Sequence, residues 1–149
     1  MAIMSGGCAC GAIRYTCEAT PLFSLNCHCR DCQRESGSAF VPVLAVPKAA
    51  FAVTQGSPRT FTVTADSGYA TTRAFCGDCG SPLFGVPSSV PEIVALRAGS
   101  LDDPTVFRPS QDIFTASAQP WDYMNPDLPK VVRLPDASAS HGGESSGAA

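Results

Sequence analysis

The eight cysteines constrain this chain of 149 residues more than any other feature of its sequence. They are Cys8, Cys10, Cys17, Cys27, Cys29, Cys32, Cys76 and Cys79. At about 5% of the chain they fall below the ~8–10% typical of a disulfide-stabilised scaffold. The first residues, Met1–Cys10, lack the charged start and long apolar stretch of a secretory signal, so we expect a reducing, cytoplasmic location. In a reducing compartment, clustered cysteines indicate metal binding rather than disulfide bonds.

Composition excludes several classes of protein. With 44% hydrophobic and 15% charged residues, the chain is too apolar to be disordered. A net charge of −3 argues against a nucleic-acid partner, because phosphate contacts require clustered Lys and Arg. No apolar run approaches the ~20 residues that span a membrane. The sequence does not indicate an oligomeric state.

The length predicts one domain, which we place at residues 1–134. From Pro135 the chain reads PDASASHGGESSGAA, and this stretch has too few apolar side chains to form a core. We therefore expect residues 135–149 to be a flexible tail, with His141 outside any site.

The 13 glycines and 13 prolines favour short strands joined by turns. Pro42 interrupts an apolar run and predicts that its strand lies at an edge or carries a bulge. One short helix, His28–Glu35, ends before Ser36-Gly37. The predicted strands are Ile13–Cys17, Ala39–Val46, Phe51–Val53, Phe61–Val63, Tyr69–Phe75, Pro82–Val86, Ile93–Ala98, Asp112–Phe114 and Val131–Leu134.

Two cysteine pairs, each followed by glycine, predict a closed metal site. In Cys76-Gly77-Asp78-Cys79-Gly80 the two-residue spacing lets both thiolates face one ion. Cys8-Ala9-Cys10-Gly11 offers the second pair, and four thiolates make the tetrahedron of a structural zinc site. The alternative is a redox dithiol or a disulfide.

The segment Cys27-His28-Cys29-Arg30-Asp31-Cys32 supplies three more thiolates. Three protein ligands and an open fourth position are typical of a reactive zinc site. Alternatively, His28 or Cys17 completes the tetrahedron and this site is also structural. His28 stands between two ligands, so its side chain is expected to point away, and Cys17 is explained more simply as a buried strand residue.

An open site of three thiolates favours capture of a thiol. Zinc with three thiolates carries a formal charge of −1, which suits it to orienting a soft ligand better than to activating water. A coordinated thiol loses its proton and becomes a nucleophile at neutral pH. Arg30 and Arg34 could offset the anionic cluster, but exposed helix surface is the favoured interpretation of both.

Other catalytic arrangements have little support. Within residues 1–134 the chain has no Gly-x-Ser-x-Gly, phosphate loop or dinucleotide fingerprint. Only two histidines are present, and one of them lies in the tail, which argues against a His-based triad. Asp102-Asp103 precedes Pro104 and indicates a turn.

Taken in order, these motifs resemble the glutathione-dependent formaldehyde-activating (GFA) family, also called the CENP-V/GFA domain. The resemblance covers roughly Gly6 to Leu134. It is carried by Gly7-Cys8-Ala9-Cys10-Gly11, by Cys27-His28-Cys29-Arg30-Asp31-Cys32-Gln33-Arg34, by Ser36-Gly37-Ser38-Ala39-Phe40, and by Arg73-Ala74-Phe75-Cys76-Gly77-Asp78-Cys79-Gly80-Ser81 with Leu83-Phe84. Seven cysteines in three ordered groups make the match specific for the domain and less specific for the substrate.

The resemblance implies a mostly-β fold of the β-tent type with short helical turns and two zinc ions. It implies a structural ion at Cys8, Cys10, Cys76 and Cys79, and a second, catalytic-type ion, which can be partly occupied, at Cys27, Cys29 and Cys32. It further implies a carbon–sulfur lyase that joins a small thiol such as glutathione to formaldehyde, giving S-(hydroxymethyl)glutathione. Thiolate addition to formaldehyde proceeds without help, so a non-catalytic zinc module with a partner-binding or chaperone-like role is the alternative.

One stretch departs from the family pattern. Where the family commonly has a His-Ile pair followed by Trp, this chain has Gln111-Asp112-Ile113-Phe114 and then Trp121. Gln111 cannot act as an acid or a base, which predicts a changed substrate or reduced activity, and an unchanged rate in Gln111→His would contradict this. Trp121 is predicted to lie in the core or a pocket wall.

Overall fold

A computed structural model of the protein describes residues 3–65 and 68–133. The described residues form a mostly-β fold with one α-helix, as the sequence predicts. They contain no helix long and apolar enough to cross a membrane. The predicted tail, its His141 and the predicted domain end at Leu134 lie outside the described residues.

The elements are short, as the spacing of glycine and proline predicts. In chain order the strands are β1 (Met4–Gly7), β2 (Arg14–Cys17), β3 (Phe23–Cys27), β4 (Val41–Pro47), β5 (Phe51–Gln55), β6 (Arg59–Thr64), β7 (Ala70–Phe75), β8 (Pro82–Pro87), β9 (Ile93–Arg97), β10 (Asp112–Ile113) and β11 (Lys130–Val131). The helix α1 spans Arg30–Ser36, and 3₁₀ turns cover Lys48–Ala50, Ala98–Ser100, Pro104–Val106 and Thr115–Ser117.

Two of these strands were not among those predicted. β1 reads Met-Ser-Gly-Gly and has no β-branched or aromatic residue, so strand propensity gives no signal for it. β3 does alternate Phe23, Leu25 and Cys27 with polar residues, so its period alone could have identified it.

The strands form two sheets. The first has the order β1-β2-β5, and the second has the order β11-β10-β3-β4-β9-β8-β7-β6. Among the described residues, neighbouring strands are antiparallel, except that β10 runs parallel to both β3 and β11.

β4 lies at the centre of the larger sheet and is buried on both faces, which explains its nearly continuous apolar run. One face carries Leu44 and Val46, which pack with Tyr15 of the smaller sheet. The opposite face carries Val41 and Val43, which pack with three cysteines. The larger sheet therefore separates the main core from a second, cysteine-rich core.

The prediction that Pro42 places its strand at an edge or in a bulge is wrong, because β4 pairs with β3 on one side and β9 on the other, in both cases without a shift of register. The pairing with β9 begins only at Val43, whereas Pro42 pairs with Asn26 of β3. Pro42 thus lies where one side of β4 is still unpaired, so a missing N–H donor is tolerated there.

Candidate metal centres

The first site lies where two turns meet. Cys8 and Cys10 stand between β1 and β2, and Cys76 and Cys79 stand between β7 and β8. Their four sulfur atoms, here called the four-cysteine group, all lie within 4.8 Å of one another. The Cys8 and Cys10 sulfurs are 3.6 Å apart, and those of Cys10 and Cys76 are 3.7 Å apart. Zn–S bonds of about 2.3 Å in a tetrahedron place sulfurs about 3.8 Å apart, so the group fits such an ion.

Backbone groups support these sulfurs from behind. The N–H of Ile13 donates to Cys8 Sγ at 3.2 Å, and the N–H of Asp78 donates to Cys76 Sγ at 3.4 Å. Gly11 and Gly80 close the two turns with φ angles of 79° and 78°, a conformation that side chains with a β-carbon rarely adopt. The sequence spacing C-x-C-G and C-x-x-C-G therefore corresponds to two turns built to hold sulfur. The hydroxyl of Ser81, 3.2 Å from Cys79 Sγ, lowers the pKa of that thiol to about 5.

The second site lies at the junction of β3 and α1. Cys27 ends β3, Cys29 caps the N-terminus of α1, and Cys32 lies in its first turn. Their sulfur atoms, the three-cysteine group, lie within 4.8 Å of one another. The exposed fractions are 8%, 4% and 9%, so this group is buried, whereas Cys10 and Cys79 of the first site are exposed.

The three thiols are hydrogen-bonded to one another. Hydrogen bonds from the Cys27 and Cys32 thiols lower the pKa of Cys29 to about 3, against the opposing effect of burial. Its Sγ also accepts from the N–H of Cys32 at 3.3 Å. The same contact with Cys29, together with burial, raises the pKa of Cys27. The group therefore concentrates negative charge on one sulfur, which is the behaviour expected of a site that a cation would complete.

The two sites differ in their number of ligands. Within residues 3–65 and 68–133, no fourth His, Cys, Asp or Glu joins the three-cysteine group. Cys17 is fully buried in the main core, where its thiol lies 3.6 Å from the carbonyl of Ala19. It is the buried strand residue that the simpler interpretation predicts. All eight cysteines are free, so a disulfide does not link either group.

His28 points away from the sulfurs, as its position predicts. Its Nδ1 lies 2.6 Å from Asp122 Oδ2, and its Nε2 lies 2.9 Å from Asp112 Oδ1. The other oxygen of Asp112 lies 3.0 Å from Lys130 Nζ. Although burial raises the pKa of Asp112, its contacts with His28 and Lys130 lower it overall. Both ring nitrogens are thus engaged, which leaves none for a metal.

A second buried cluster of charges lies beside α1. It joins Glu35 on that helix to Arg73 on β7 and Arg97 on β9, and the three side chains are 5%, 7% and 9% exposed. Neither these residues nor Asp112 and Asp122 were predicted as site residues. The sequence did carry one signal for this cluster. Arg97 lies within the apolar strand Ile-Val-Ala-Leu-Arg-Ala, and because charged side chains are seldom buried unless paired, its position indicates a buried partner of opposite charge.

A cavity of about 560 Å³ lies between the turn of the four-cysteine group and the C-terminal end of α1. Its charged lining residues are Arg14, Glu35, Arg97 and Asp102. These form two ion pairs of opposite charges, so the lining can meet both signs of charge on a ligand. The lining includes Val41, the register partner of Cys27, but not the three sulfurs. The cavity is therefore adjacent to the second site.

Several smaller predictions have clear outcomes. Arg30 and Arg34 are exposed on α1, which confirms the helix-surface interpretation. Asp103 caps the 3₁₀ turn after it by accepting from the N–H of Thr105 at 3.1 Å, which confirms the predicted turn. Trp121 is 67% exposed, so the prediction of a core or pocket wall is wrong. The chain turns Trp121 outward because its neighbour Asp122 is directed inward to His28.

Gln111 directly precedes Asp112, one of the two residues whose carboxylates contact His28. Its backbone carbonyl accepts from the N–H of Asn26 at 3.1 Å, and the following residue, Asp112, supplies the carboxylate that reaches His28. The effect of Gln111 on the substrate remains a prediction.

A crystal structure of a Rhodobacter sphaeroides protein, solved as a structural-genomics target, has a similar fold. The TM-score is 0.57 at 18% sequence identity, and the match covers 86% of this chain and 100% of that chain. At this identity the likeness shows the fold alone.

The sequence profile of the family described as "Glutathione-dependent formaldehyde-activating enzyme" matches residues 3–117, which include all seven cysteines of the two groups. The chain therefore belongs to this family, as its cysteine pattern predicts.

Proposed function

We propose that this protein is a zinc-dependent enzyme of the carbon–sulfur lyase type, which captures a small thiol such as glutathione for addition to a small aldehyde such as formaldehyde. The supporting observation is the difference between the two groups. Four sulfurs would fill the coordination of one ion. The second group offers only three sulfurs among the described residues, so an ion held there would keep one position for a ligand from outside.

The four-cysteine group, Cys8, Cys10, Cys76 and Cys79, would hold a structural zinc ion. Its two pairs come from turns far apart in sequence, so the ion would join the start of the chain to its middle. The three-cysteine group, Cys27, Cys29 and Cys32, would hold the second ion. That ion, when bound, supplies a fourth coordination position at which an incoming thiol is present as thiolate.

The chemical step forms a C–S bond and breaks the π bond of the carbonyl group. The thiolate sulfur of the substrate attacks the carbonyl carbon, the C–S bond forms, and the C=O π electrons move onto oxygen. That oxygen takes a proton from water, or the proton that the thiol released. No general base of the protein is assigned, and the buried cysteines would act by holding the ion that binds and orients the attacking sulfur.

The balanced charges of the adjacent cavity suit a substrate that carries both carboxylate and ammonium groups, as glutathione does. We also place the protein in the cytoplasm, where small thiols remain reduced. The catalytic domain would comprise residues 1–134, with 135–149 as a tail.

The test is the rate of adduct formation from glutathione and formaldehyde, measured against a buffer control. We expect the zinc-loaded protein to accelerate it and Cys29→Ser to abolish the acceleration while the fold survives. Cys17→Ala is the matched control, because it also removes one buried thiol but leaves both groups intact. A rate equal to that of buffer would contradict the proposal for this substrate.

A non-catalytic zinc module is the second candidate. The observation that favours it is a pair of exposed aromatic side chains, Trp121 and Tyr123, which are 67% and 92% exposed on either side of the inward-facing Asp122. Exposed aromatic residues of this kind are common at protein interfaces. Two zinc ions that resist a mild chelator equally, with no rate acceleration, would favour this role.

A further inference from the structure

The buried charges beside α1 lie on the same face of the larger sheet as the three-cysteine group. Paired residues in adjacent strands, and residues two apart in one strand, direct their side chains to one face. Followed from β3 to β7, the register of this face carries Cys27, Val41, Val43, Arg97, Ala95, Gly85 and Arg73. Arg73, Arg97 and Cys27 therefore lie in one buried layer on this face of the sheet.

Gly85 makes room for Arg97 within that layer. A β-carbon at Gly85 would lie 3.1 Å from Nη2 of Arg97, closer than a side chain is normally tolerated. The guanidinium group thus extends over the glycine, towards the strand that carries Arg73.

Both arginines converge on Glu35. Arg97 donates from Nε to Oε1 at 3.0 Å and from Nη2 to Oε2 at 2.9 Å, and Arg73 Nε lies 3.3 Å from Oε2. Glu35 and Cys32 lie three residues apart on α1, a spacing that makes side chains neighbours on a helix surface. The charge triad, Glu35 with Arg73 and Arg97, is therefore built onto the helix that presents two of the three sulfurs.

The triad does not balance its own charge. Two guanidinium groups and one carboxylate leave a net charge of +1 among side chains that are at most 9% exposed. An unbalanced buried charge is costly unless another charge compensates it. Three thiolates with Zn²⁺ carry −1, which is the charge that the triad lacks.

We propose that Arg73 and Arg97 are the internal counter-charge of the three-cysteine metal site, and that Glu35 limits this charge to a single unit. The three side chains would set how tightly that site retains its ion without touching the ion or the substrate. The inference rests on the proposed zinc site, but not on the proposed reaction.

The electrostatic influence of the arginines on the sulfurs is consistent with this role. Contacts with Cys27 and Cys32 lower the pKa of Cys29. Against the lowering effect of Cys27, the contact with Cys29, together with burial, raises the pKa of Cys32 to about 12. As smaller effects, Arg73 further lowers the pKa of Cys29 and Arg97 opposes the rise in the pKa of Cys32. A positive charge at these positions therefore favours the thiolate forms that bind a metal.

The test compares variants that break the same ion pairs but change the charge in opposite directions. Arg97→Gln removes a positive charge and Glu35→Gln removes the negative one. The zinc affinity of the three-cysteine site is measured on the two-zinc protein by competition with a chromophoric chelator, with native mass spectrometry to count the ions. We expect about tenfold weaker binding in Arg97→Gln, and binding at least as tight as wild type in Glu35→Gln.

Two further variants separate charge from packing. Arg97→Lys keeps the charge but loses the two-point contact, so its affinity should stay within about threefold of wild type. Arg34→Gln is the matched control, because it removes an exposed positive charge next to Glu35 and should leave the affinity unchanged. Where Arg97→Gln does not fold, Arg73→Gln replaces it, since Arg73 makes a single ion-pair contact with Glu35.

The outcomes distinguish the two proposals. Weaker binding in both Arg97→Gln and Glu35→Gln, or equal losses in Arg97→Lys and Arg97→Gln, would show that the triad acts through packing and would overturn the inference. Failure of the wild-type three-cysteine group to bind zinc would overturn the proposed function as well. Opposite shifts without any rate acceleration would support the counter-charge and contradict only the proposed reaction.

Discussion

Oδ2 of Asp122 lies 2.6 Å from Nδ1 of His28, across 94 residues of sequence. Both side chains are buried, at 3% and 1% exposed. Because His28 stands between Cys27 and Cys29, this contact fixes the backbone that presents two sulfurs of the second site. A carboxylate outside the three-cysteine group thus holds the backbone of that group in place, a role that outer partners of metal sites commonly have.

Replacement of Asp122 by Asn should weaken this support. The variant loses a buried, charge-assisted hydrogen bond, so we expect it to be less stable by about 1–3 kcal/mol and to release the second zinc ion faster. Urea unfolding and chelator kinetics measure the two effects. Asp127→Asn, at an exposed position of the same segment, is the control, and equal stability of the two variants would refute this role for Asp122.

The two metal sites should contribute unequally to stability. A structural zinc ion supplies about 10–16 kcal/mol of apparent binding free energy that is also folding free energy. Cys76→Ser or Cys8→Ser should therefore unfold the chain or lower its melting temperature severely, whereas Cys32→Ser should have a much milder effect. Thermal unfolding followed by circular dichroism makes the comparison, and similar losses at both sites would contradict the assignment of separate roles.

The hydroxyl of Tyr15 predicts a loss of stability at high pH. It lies 2.6 Å from Ser100 Oγ, and burial raises its pKa to about 12, against the opposing effect of that hydrogen bond. An unfolded tyrosine has a pKa of about 10, so the contribution is complete below about pH 10 and declines as the pH rises towards 12.

The stability advantage of wild type over Tyr15→Phe should therefore shrink by on the order of 2 kcal/mol between pH 9 and about 11.5. Urea unfolding at the two pH values measures it. Tyr123→Phe, at a residue 92% exposed, should keep the pH dependence of wild type. A constant gap between wild type and Tyr15→Phe would show that the buried phenol does not resist ionisation.

Gly6 is required by the close approach of β1 to its neighbours. A β-carbon there would lie 2.3 Å from the carbonyl oxygen of Ser100 and 2.4 Å from the hydroxyl of Tyr15. Gly6→Ala should therefore destabilise the fold by about 1–3 kcal/mol or more, the usual cost of overpacking. Gly99→Ala, where a β-carbon meets nothing within 4 Å, is the control in the same urea experiment. Equal stability of the two would contradict the predicted clash.

The sequence predicts the grouping of the sulfurs well, because cysteine spacing within one segment is local. Cys27, Cys29 and Cys32 occupy one short segment, and each pair of the four-cysteine group lies in a single turn. The charged contacts around the sulfurs cannot be predicted in this way. Glu35 meets Arg97 across 62 residues, and sequence spacing carries no information about such contacts. The exposure of Trp121 could not be predicted for the same reason, because it depends on the contact of the neighbouring Asp122 with His28, which is distant in sequence.

Diffraction data collected at the zinc edge, from crystals grown with and without glutathione, test the central claim most directly. We expect two anomalous peaks, one among Cys8, Cys10, Cys76 and Cys79, and one on Cys27, Cys29 and Cys32. The fourth ligand of the second ion should be solvent without the thiol and the glutathione sulfur with it. A second ion whose fourth position is held by a side chain of this chain in both crystals, or no ion at that group, would contradict the account.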